Sequence, residues 1–114
     1  MLTIDTLKRF GADTDDGLSR CLGNEDFYFK LIGKVVEDKN FACLEESIAA
    51  GDLDKAFDAA HSLKGVLGNL ALTPIFNPVC ELVELLRGKK EMVDTGTLVE
   101  TILSEREKLC KLDA

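Results

Sequence analysis

The chain has 114 residues, enough for one domain, and its 46% of apolar residues can form a core without disulfides or metal. Its 21 acidic residues outnumber the 14 basic ones and give a net charge of −7, which argues against binding to nucleic acid or to anionic lipid. No apolar run approaches the roughly 20 residues that a membrane span needs.

The N-terminal part of the chain predicts two short helices, Thr3 to Phe10 and Thr14 to Leu22. Gly11 stands where a residue that ends the first helix is expected, and Asp13 can cap the second. These helices form an N-terminal extension over residues 1–23.

The next segment predicts one long helix that runs to Ala50. Asn24 can cap it, and Asn40 marks the place where it could kink. Its apolar positions follow helical spacing; they are Phe27, Leu31, Ile32, Val35, Phe41, Leu44 and Ile48.

Gly51 and Asp52 predict a tight connection, because glycine tolerates the left-handed end of a helix and aspartate caps the next one. So short a connection makes the two helices antiparallel neighbours. The following helix has apolar residues at alternating steps of three and four, a heptad seam typical of lengthwise packing in a bundle. The seam comprises Leu53, Ala56, Ala60, Leu63, Leu67 and Leu70.

Two further helices complete the prediction. Thr73 and Pro74 are typical of a cap followed by the first residue of a helix, which ends near Gly88. A polar loop over Lys89–Gly96 leads to a last helix whose inward positions are Leu98, Ile102, Leu109 and Leu112. We predict an all-α fold, an antiparallel up-down four-helix bundle over residues 24–112 with the short helical extension, in a single domain of residues 1–114.

The four cysteines lie far apart in the sequence, without the closely spaced pairs of a zinc site. The N-terminus also lacks the basic and apolar regions of a secretion signal. We therefore expect no metal site, reduced thiols that pack as small apolar groups, and a cytoplasmic protein. The cysteines are Cys21, Cys43, Cys80 and Cys110.

His61 is the only histidine of the chain. At 100° per residue it points roughly 130° away from the centre of the heptad seam, towards solvent or the shoulder of the helix. A lone exposed histidine is commonly an ordinary surface residue, so its neighbours decide how it is interpreted.

Gly65 and Gly68 follow His61 by four and seven residues, in mid-helix, where each costs about 1 kcal/mol relative to alanine. The residue at i+4 normally overhangs position i, so a glycine there leaves the imidazole uncovered. Close packing between helices would explain either glycine alone. Lys64 at i+3 can reach a group attached to the ring, and Phe57 at i−4 is either core or the edge of a docking surface.

An exposed imidazole beside a cation suits phosphoryl acceptance. The neutral form of an imidazole is nucleophilic, and Lys64 would offset the negative charge that a phosphoryl group adds. No second catalytic residue lies within a turn, so a partner would have to supply the metal and the transition-state stabilisation.

The string from Ala60 to Gly65 (AHSLKG), continued by Gly68, Asn69 and Leu70, resembles the signature of histidine-containing phosphotransfer (HPt) domains. The segment from Leu22 to Tyr28 (LGNEDFY) is similar to the one that opens the first long bundle helix in that family. Many members have glycine at the position of Ala71, which puts the turn geometry there in question.

The resemblance implies a monomeric four-helix bundle that relays phosphoryl groups in a multistep phosphorelay. It implies that His61 accepts the group from an aspartyl phosphate, that Lys64 stabilises it, and that Gly65 and Gly68 admit the partner. The partners would be receiver domains of response regulators or hybrid sensor kinases. Mg²⁺ would be bound by the receiver, and this chain would be a phosphoryl carrier with no kinase or hydrolase activity of its own.

Three other functions stay open from the residues. The first is a non-catalytic adaptor that docks a receiver or another signalling partner without being phosphorylated, since docking needs the same clearing. The second is a small enzyme with His61 as general base, and the third is metal binding through His61 and a cysteine.

Overall fold

The computed structural model describes residues 2–89 and 94–113, and the regular secondary structure in these ranges is α-helical throughout. The all-α fold class is therefore confirmed. None of the described helices combines the length and the apolar character that a membrane crossing demands. The helices are α1 (Ile4–Phe10), α2 (Thr14–Arg20), α3 (Glu25–Val36), α4 (Asn40–Ala50), α5 (Leu53–Asn69), α6 (Thr73–Leu86) and α7 (Leu98–Asp113).

Helix α5 makes its main contacts with α4 and α6, while α7 packs against α6, α3 and α1. The buried apolar side chains form one contiguous cluster to which all the helices except α2 contribute a fully or nearly fully buried apolar side chain. The seam predicted on α5 is buried at every position, because α5 packs between α4 and α6.

Local capping rules place several of the helix ends as predicted, although α2 ends at Arg20 and not at Leu22. Gly11 and Gly51 adopt left-handed conformations, with φ of 111° and 74°, and end α1 and α4. The side chains of Asp13, Asn24 and Asp52 each accept a hydrogen bond from the backbone N–H three residues further on. Each bond satisfies a donor that the first turn of a helix leaves without a partner.

The prediction of a single long helix up to Ala50 is wrong, because the helix is interrupted between Val36 and Asn40. In a straight helix Phe41 would lie roughly 150° from the buried stripe of α3 and would face solvent. The break turns it inward, where it is 1% exposed. Asp38 stabilises the break by accepting a bond of 2.8 Å from the backbone N–H of Asn40, and Arg106 of α7 donates to the carbonyl of Val36 at 2.8 Å.

The start of α6 also differs from the prediction. Leu72 is the N-cap and Thr73 the first helical residue, so Pro74 lies one residue further into the helix. The hydroxyl of Thr73 points back to the carbonyl of Ala71, at 3.4 Å, instead of capping the helix. The helix also continues through Pro78.

The predicted loop over Lys89–Gly96 lies partly outside the described residues. The last helix follows as expected and begins at Leu98. Of its inward positions, Ile102 and Leu109 are fully buried. Leu98 and Leu112 are partly buried at the edge of the core.

The turn at Ala71, where many members of the family have glycine, lies at the end of α5. Ala71 adopts φ 54°, the left-handed conformation in which glycine is preferred. The N–H of Leu72 donates to the carbonyl of Leu67 and that of Ala71 to the carbonyl of Gly68, both at 3.1 Å. This pair of bonds is the Schellman motif, so the turn forms with alanine at a conformational cost of roughly 1 kcal/mol.

Tyr28 ties the N-terminal helices to this turn, a role that the sequence did not reveal. Its side chain is fully buried, and its hydroxyl donates to the carbonyl of Leu70 at 2.8 Å. A side chain at Gly17 would place its Cβ 2.5 Å from that hydroxyl oxygen, so α2 needs glycine there. The backbone N–H of Asp13 donates to the carbonyl of Ala71 at 3.0 Å. Together these contacts fix α2 and α3 against the end of α5.

Because the hydroxyl of Tyr28 is buried, the free energy of unfolding depends on pH in the alkaline range. Burial, with smaller contributions from Cys21, Asp13 and Asp16, raises the pKa of Tyr28 from 10.0 to about 12. The folded state therefore keeps the proton to a higher pH than the unfolded state does. The stabilisation from Tyr28 is complete below pH 10 and declines as the pH rises towards 12, because the unfolded state ionises first.

We expect Tyr28→Phe to lower the free energy of unfolding at pH 7 by about 1 kcal/mol, because the carbonyl of Leu70 loses its partner. The difference from the parent chain should narrow as the pH rises above 10, since phenylalanine cannot ionise. Urea unfolding of both chains at several pH values measures this. A difference that stays constant from pH 7 to pH 11 would contradict it.

Candidate functional site

His61 stands on the face of α5 that points away from the core. The cap by Asp52 begins the helix, and Leu63 and Leu67, which are fully buried, fix its rotation. His61 lies on the opposite side and is exposed, as its position outside the seam predicted. The rotation of one helix therefore decides the accessibility of the ring.

The two glycines beyond His61 have different surroundings. A Cβ at Gly65 would meet no atom within 4 Å, so this position is open space on the exposed side of the helix. A Cβ at Gly68 would lie 3.0 Å from Cε1 of Phe76 on α6. Gly65 thus provides the clearing beside the imidazole, whereas Gly68 also lets α6 approach closely.

Lys64, three residues after His61 on α5, is half-buried. None of the ion pairs among residues 2–89 and 94–113 involves its ammonium group. Burial raises the pKa of the Cys80 thiol; Lys64 opposes this rise, and Glu84 adds to it. The thiol of Cys80 is therefore protonated near neutral pH, and the ammonium group of Lys64 remains available to an anion.

Phe57 contacts the imidazole from the preceding turn of α5. The centroids of the two rings are 5.8 Å apart and their planes are tilted by 33°. Arg87, at the end of α6, places its guanidinium carbon 5.4 Å from the centroid of the Phe57 ring. The sequence indicated Phe57 but not Arg87, because the two are 30 residues apart and nothing local relates them.

A polar groove borders the clearing on the side of α2. Asp13, Asp16 and Arg20 line it, opposite Gly65 and Gly68 of α5. Asp16 and Arg20 form an ion pair of 3.1 Å across one turn of α2. The N-terminal extension therefore contributes to the surface around His61.

An apolar groove lies on the other side, between α3 and α5, with Leu31 and Val66 among its lining residues. Close to it in the sequence, Phe27 is 47% exposed, although the helical pattern grouped it with the buried positions. Leu22 is 95% exposed and has φ 59°, an unusual conformation for a residue with a side chain. Leu22 and Phe27 are the two large apolar side chains that are most exposed among the described residues.

The site combines an exposed imidazole with a lysine three residues further along α5. The hydrogen bonds formed within the described residues do not involve the imidazole of His61. Within the same residues, no group of three or more histidine, cysteine or acidic side chains is arranged to hold a metal ion. A general base is normally oriented by a second polar group, and within residues 2–89 and 94–113 no hydrogen bond orients the imidazole.

A protein-family model, described as Hpt domain, matches residues 38–111, which is well over half of the chain. The chain belongs to the Hpt domain family. Membership implies histidine phosphotransfer within a phosphorelay, and domains of this family interact with receiver domains. A search of curated proteins and a search of solved structures found no match.

The matched residues include α4, α5 and α6 and nearly all of α7, and His61 lies within them. Helices α1, α2 and α3 lie outside the match. The likeness noted above for residues 22–28 is therefore not part of what the Hpt match supports.

The two glycines of this Hpt domain can be separated by their effect on stability. We expect Gly65→Ala to raise the free energy of unfolding by up to about 1 kcal/mol, because alanine favours the helix and the new methyl group meets nothing. Gly68→Ala should raise the free energy of unfolding by less, because its methyl group displaces the ring of Phe76. Urea unfolding of both variants measures the difference.

The matched control is Phe76→Leu combined with Gly68→Ala, compared with Phe76→Leu alone. Removing the ring should restore the full gain from alanine at position 68. Equal gains from the two single variants would mean that Phe76 does not restrict position 68.

Proposed function

We propose that this chain relays phosphoryl groups between receiver-domain aspartates, with His61 as the phospho-acceptor. The observation that carries the proposal is an exposed imidazole at the open space of Gly65, beside an ammonium group that no described carboxylate pairs with. Membership of the Hpt family supports it.

The proposed reaction is an in-line displacement at phosphorus. A ring nitrogen of His61 forms the N–P bond while the P–O bond to the receiver aspartate breaks, and the electron pair of that bond stays on the leaving carboxylate. The exposed ring can release the proton of its other nitrogen to water. The return step, to a second receiver, reverses these bond changes.

Lys64 is proposed to stabilise the phosphorylated ring. It follows His61 by three residues, so both lie on neighbouring positions of one helix face. An ion pair between ammonium and phosphoryl oxygens is a charge-assisted bond, stronger than a neutral one. We expect Mg²⁺ to be bound by the acidic pocket of the receiver, and this chain to have no kinase or hydrolase activity of its own.

The receiver would dock on the exposed face around His61. Phe57 and Gly68 border the site along α5, and the apolar groove with Leu31 and the exposed Phe27 extends the surface across α3. A mixed surface with an apolar centre is typical of protein interfaces of moderate affinity. A receiver that covers this face would bring its aspartyl phosphate to His61 in one docking event.

The proposal includes the finer architecture expected from the sequence. Helices α3 and α4 together, then α5, α6 and α7, would be the four elements of an antiparallel up-down bundle over residues 24–112. Residues 1–23 would be its extension, within a single domain of residues 1–114. A monomeric state and a cytoplasmic location complete the proposal.

His61→Gln should abolish phosphoryl uptake from a receiver domain labelled with ³²P-phosphate, because glutamine has no nucleophilic ring nitrogen. The helix should remain intact, since His61 is exposed. Gel autoradiography measures uptake, and circular dichroism checks the fold. Ser62→Ala, an exposed neighbour on the same helix, is the matched control and should take up label normally.

Label on the His61→Gln variant would contradict the assignment. Absence of label on the parent chain, together with binding to the same receivers, would support the adaptor function instead. Label that survives alkali and is lost in acid identifies phosphohistidine.

Lys64→Ala should slow transfer from the receiver or shorten the lifetime of the phosphorylated protein, about tenfold, because the phosphoryl charge loses its nearest cation on α5. Rapid-quench measurement of labelled protein follows both rates. Lys55→Ala removes an exposed lysine of the same helix and is the control. Unchanged rates for Lys64→Ala would remove Lys64 from the site.

A further inference from the structure

Three side chains from two helices form a row that ends at His61. Phe57 contacts the imidazole, with ring centroids 5.8 Å apart, a distance typical of aromatic pairs. Arg87 lies over the Phe57 ring, 5.4 Å from its centroid, within the range of a cation–π interaction. The row therefore connects the end of α6 to the proposed acceptor on α5.

The backbone at the end of α6 holds Arg87 in this position. Arg87 is the C-cap of the helix, with ψ 120°, and Gly88 follows in the left-handed conformation with φ 67°. The guanidinium group also donates to a carboxylate oxygen of Glu84 at 3.2 Å. Arg87 is thus restrained by its own backbone, by Glu84 and by the face of Phe57.

The imidazole needs such a restraint because its other neighbour is missing. In an ordinary helix the side chain four residues on overhangs position i and limits its rotamers. Gly65 leaves that space empty. The clearing that admits a receiver therefore also lets the ring turn, and the contact with Phe57 is the restraint that remains on the preceding turn.

We propose that Phe57 and Arg87 are positioning residues that hold the imidazole of His61 in the orientation for in-line attack, an inference that rests on the proposed function. Phe57 acts on the ring directly, and Arg87 acts through Phe57. Poor alignment of reacting atoms by about 1 Å can cost up to 10²-fold in rate, so the row affects the limiting rate of transfer in addition to any part that Phe57 has in docking the receiver.

The test uses two pairs of variants in the full chain. Phe57→Leu removes the ring and Phe57→Tyr keeps it; Arg87→Gln removes the cation and Arg87→Lys keeps it. Arg9→Gln, an exposed arginine that pairs with Asp5 on α1, is the control for loss of a positive charge. Thermal unfolding confirms that each variant is folded.

Single-turnover transfer from a ³²P-labelled receiver, at increasing receiver concentration, gives a limiting rate constant and a half-saturation concentration. We expect Phe57→Leu and Arg87→Gln to lower the limiting rate constant about five- to tenfold, and Arg87→Gln to leave the half-saturation concentration unchanged. Phe57→Tyr and Arg87→Lys should retain at least half of the parent rate, and Arg9→Gln all of it.

A second readout needs no receiver. Phosphoramidate, a small phosphodonor, tests the reactivity of the imidazole without docking, and proton NMR reports the ring of His61 directly, because it is the only histidine of the chain. In Phe57→Leu the ring-proton signals should lose the shift caused by the neighbouring aromatic ring. In Arg87→Gln they should move in the same direction by a smaller amount.

A higher half-saturation concentration with an unchanged limiting rate constant would overturn the proposal, because Phe57 and Arg87 would then act in docking alone. Unchanged limiting rate constants in Phe57→Leu and Arg87→Gln would overturn it as well, whatever the NMR signals show. If the parent chain takes up no label, the proposed function itself fails, a result distinct from parent and variants that transfer equally fast.

Discussion

The rotation of α5 about its own axis is the constraint on which the proposed site depends. Leu63 and Leu67 are fully buried between neighbouring helices. Because side chains of a helix are spaced by 100°, burying these two leaves His61 on the exposed side. The core thereby presents the imidazole to solvent without any local interaction that pulls it outward.

The clearing beside the imidazole lowers the stability of α5, and packing along another face of the helix offsets this loss. Glycine at position 65 destabilises the helix and leaves the ring without its usual neighbour. Packing with α4 and α6 stabilises α5 along its buried seam, so the helix tolerates the loss. The contact with Phe57 restrains the ring from the opposite turn. Access and orientation are therefore provided by different turns of the same helix.

The N-terminal helices are tied to the end of α5 by a small number of buried polar contacts. Tyr28 donates to the carbonyl of Leu70, and the backbone of Asp13 donates to that of Ala71. Buried hydrogen bonds of this kind specify how the helices are arranged, because a buried donor or acceptor without a partner destabilises the fold. They bring α2 to the groove that Gly65 and Gly68 line, so this surface includes residues beyond those that the Hpt model matches.

Local rules determined much of this protein from its sequence. Caps such as Asp52, helix ends such as Gly51, the buried seam of α5 and the exposure of His61 all depend on residues within one or two turns of each other, and such interactions are visible in the sequence. The tertiary structure alone decided the break after Val36, because the carbonyl freed there bonds Arg106, 70 residues away, and Phe41 must turn to reach the core. It also decided that Tyr28 bonds Leu70 and that Arg87 packs on Phe57. Contacts between residues this far apart leave no periodic or adjacent pattern in the chain, since they exist only once the helices have packed.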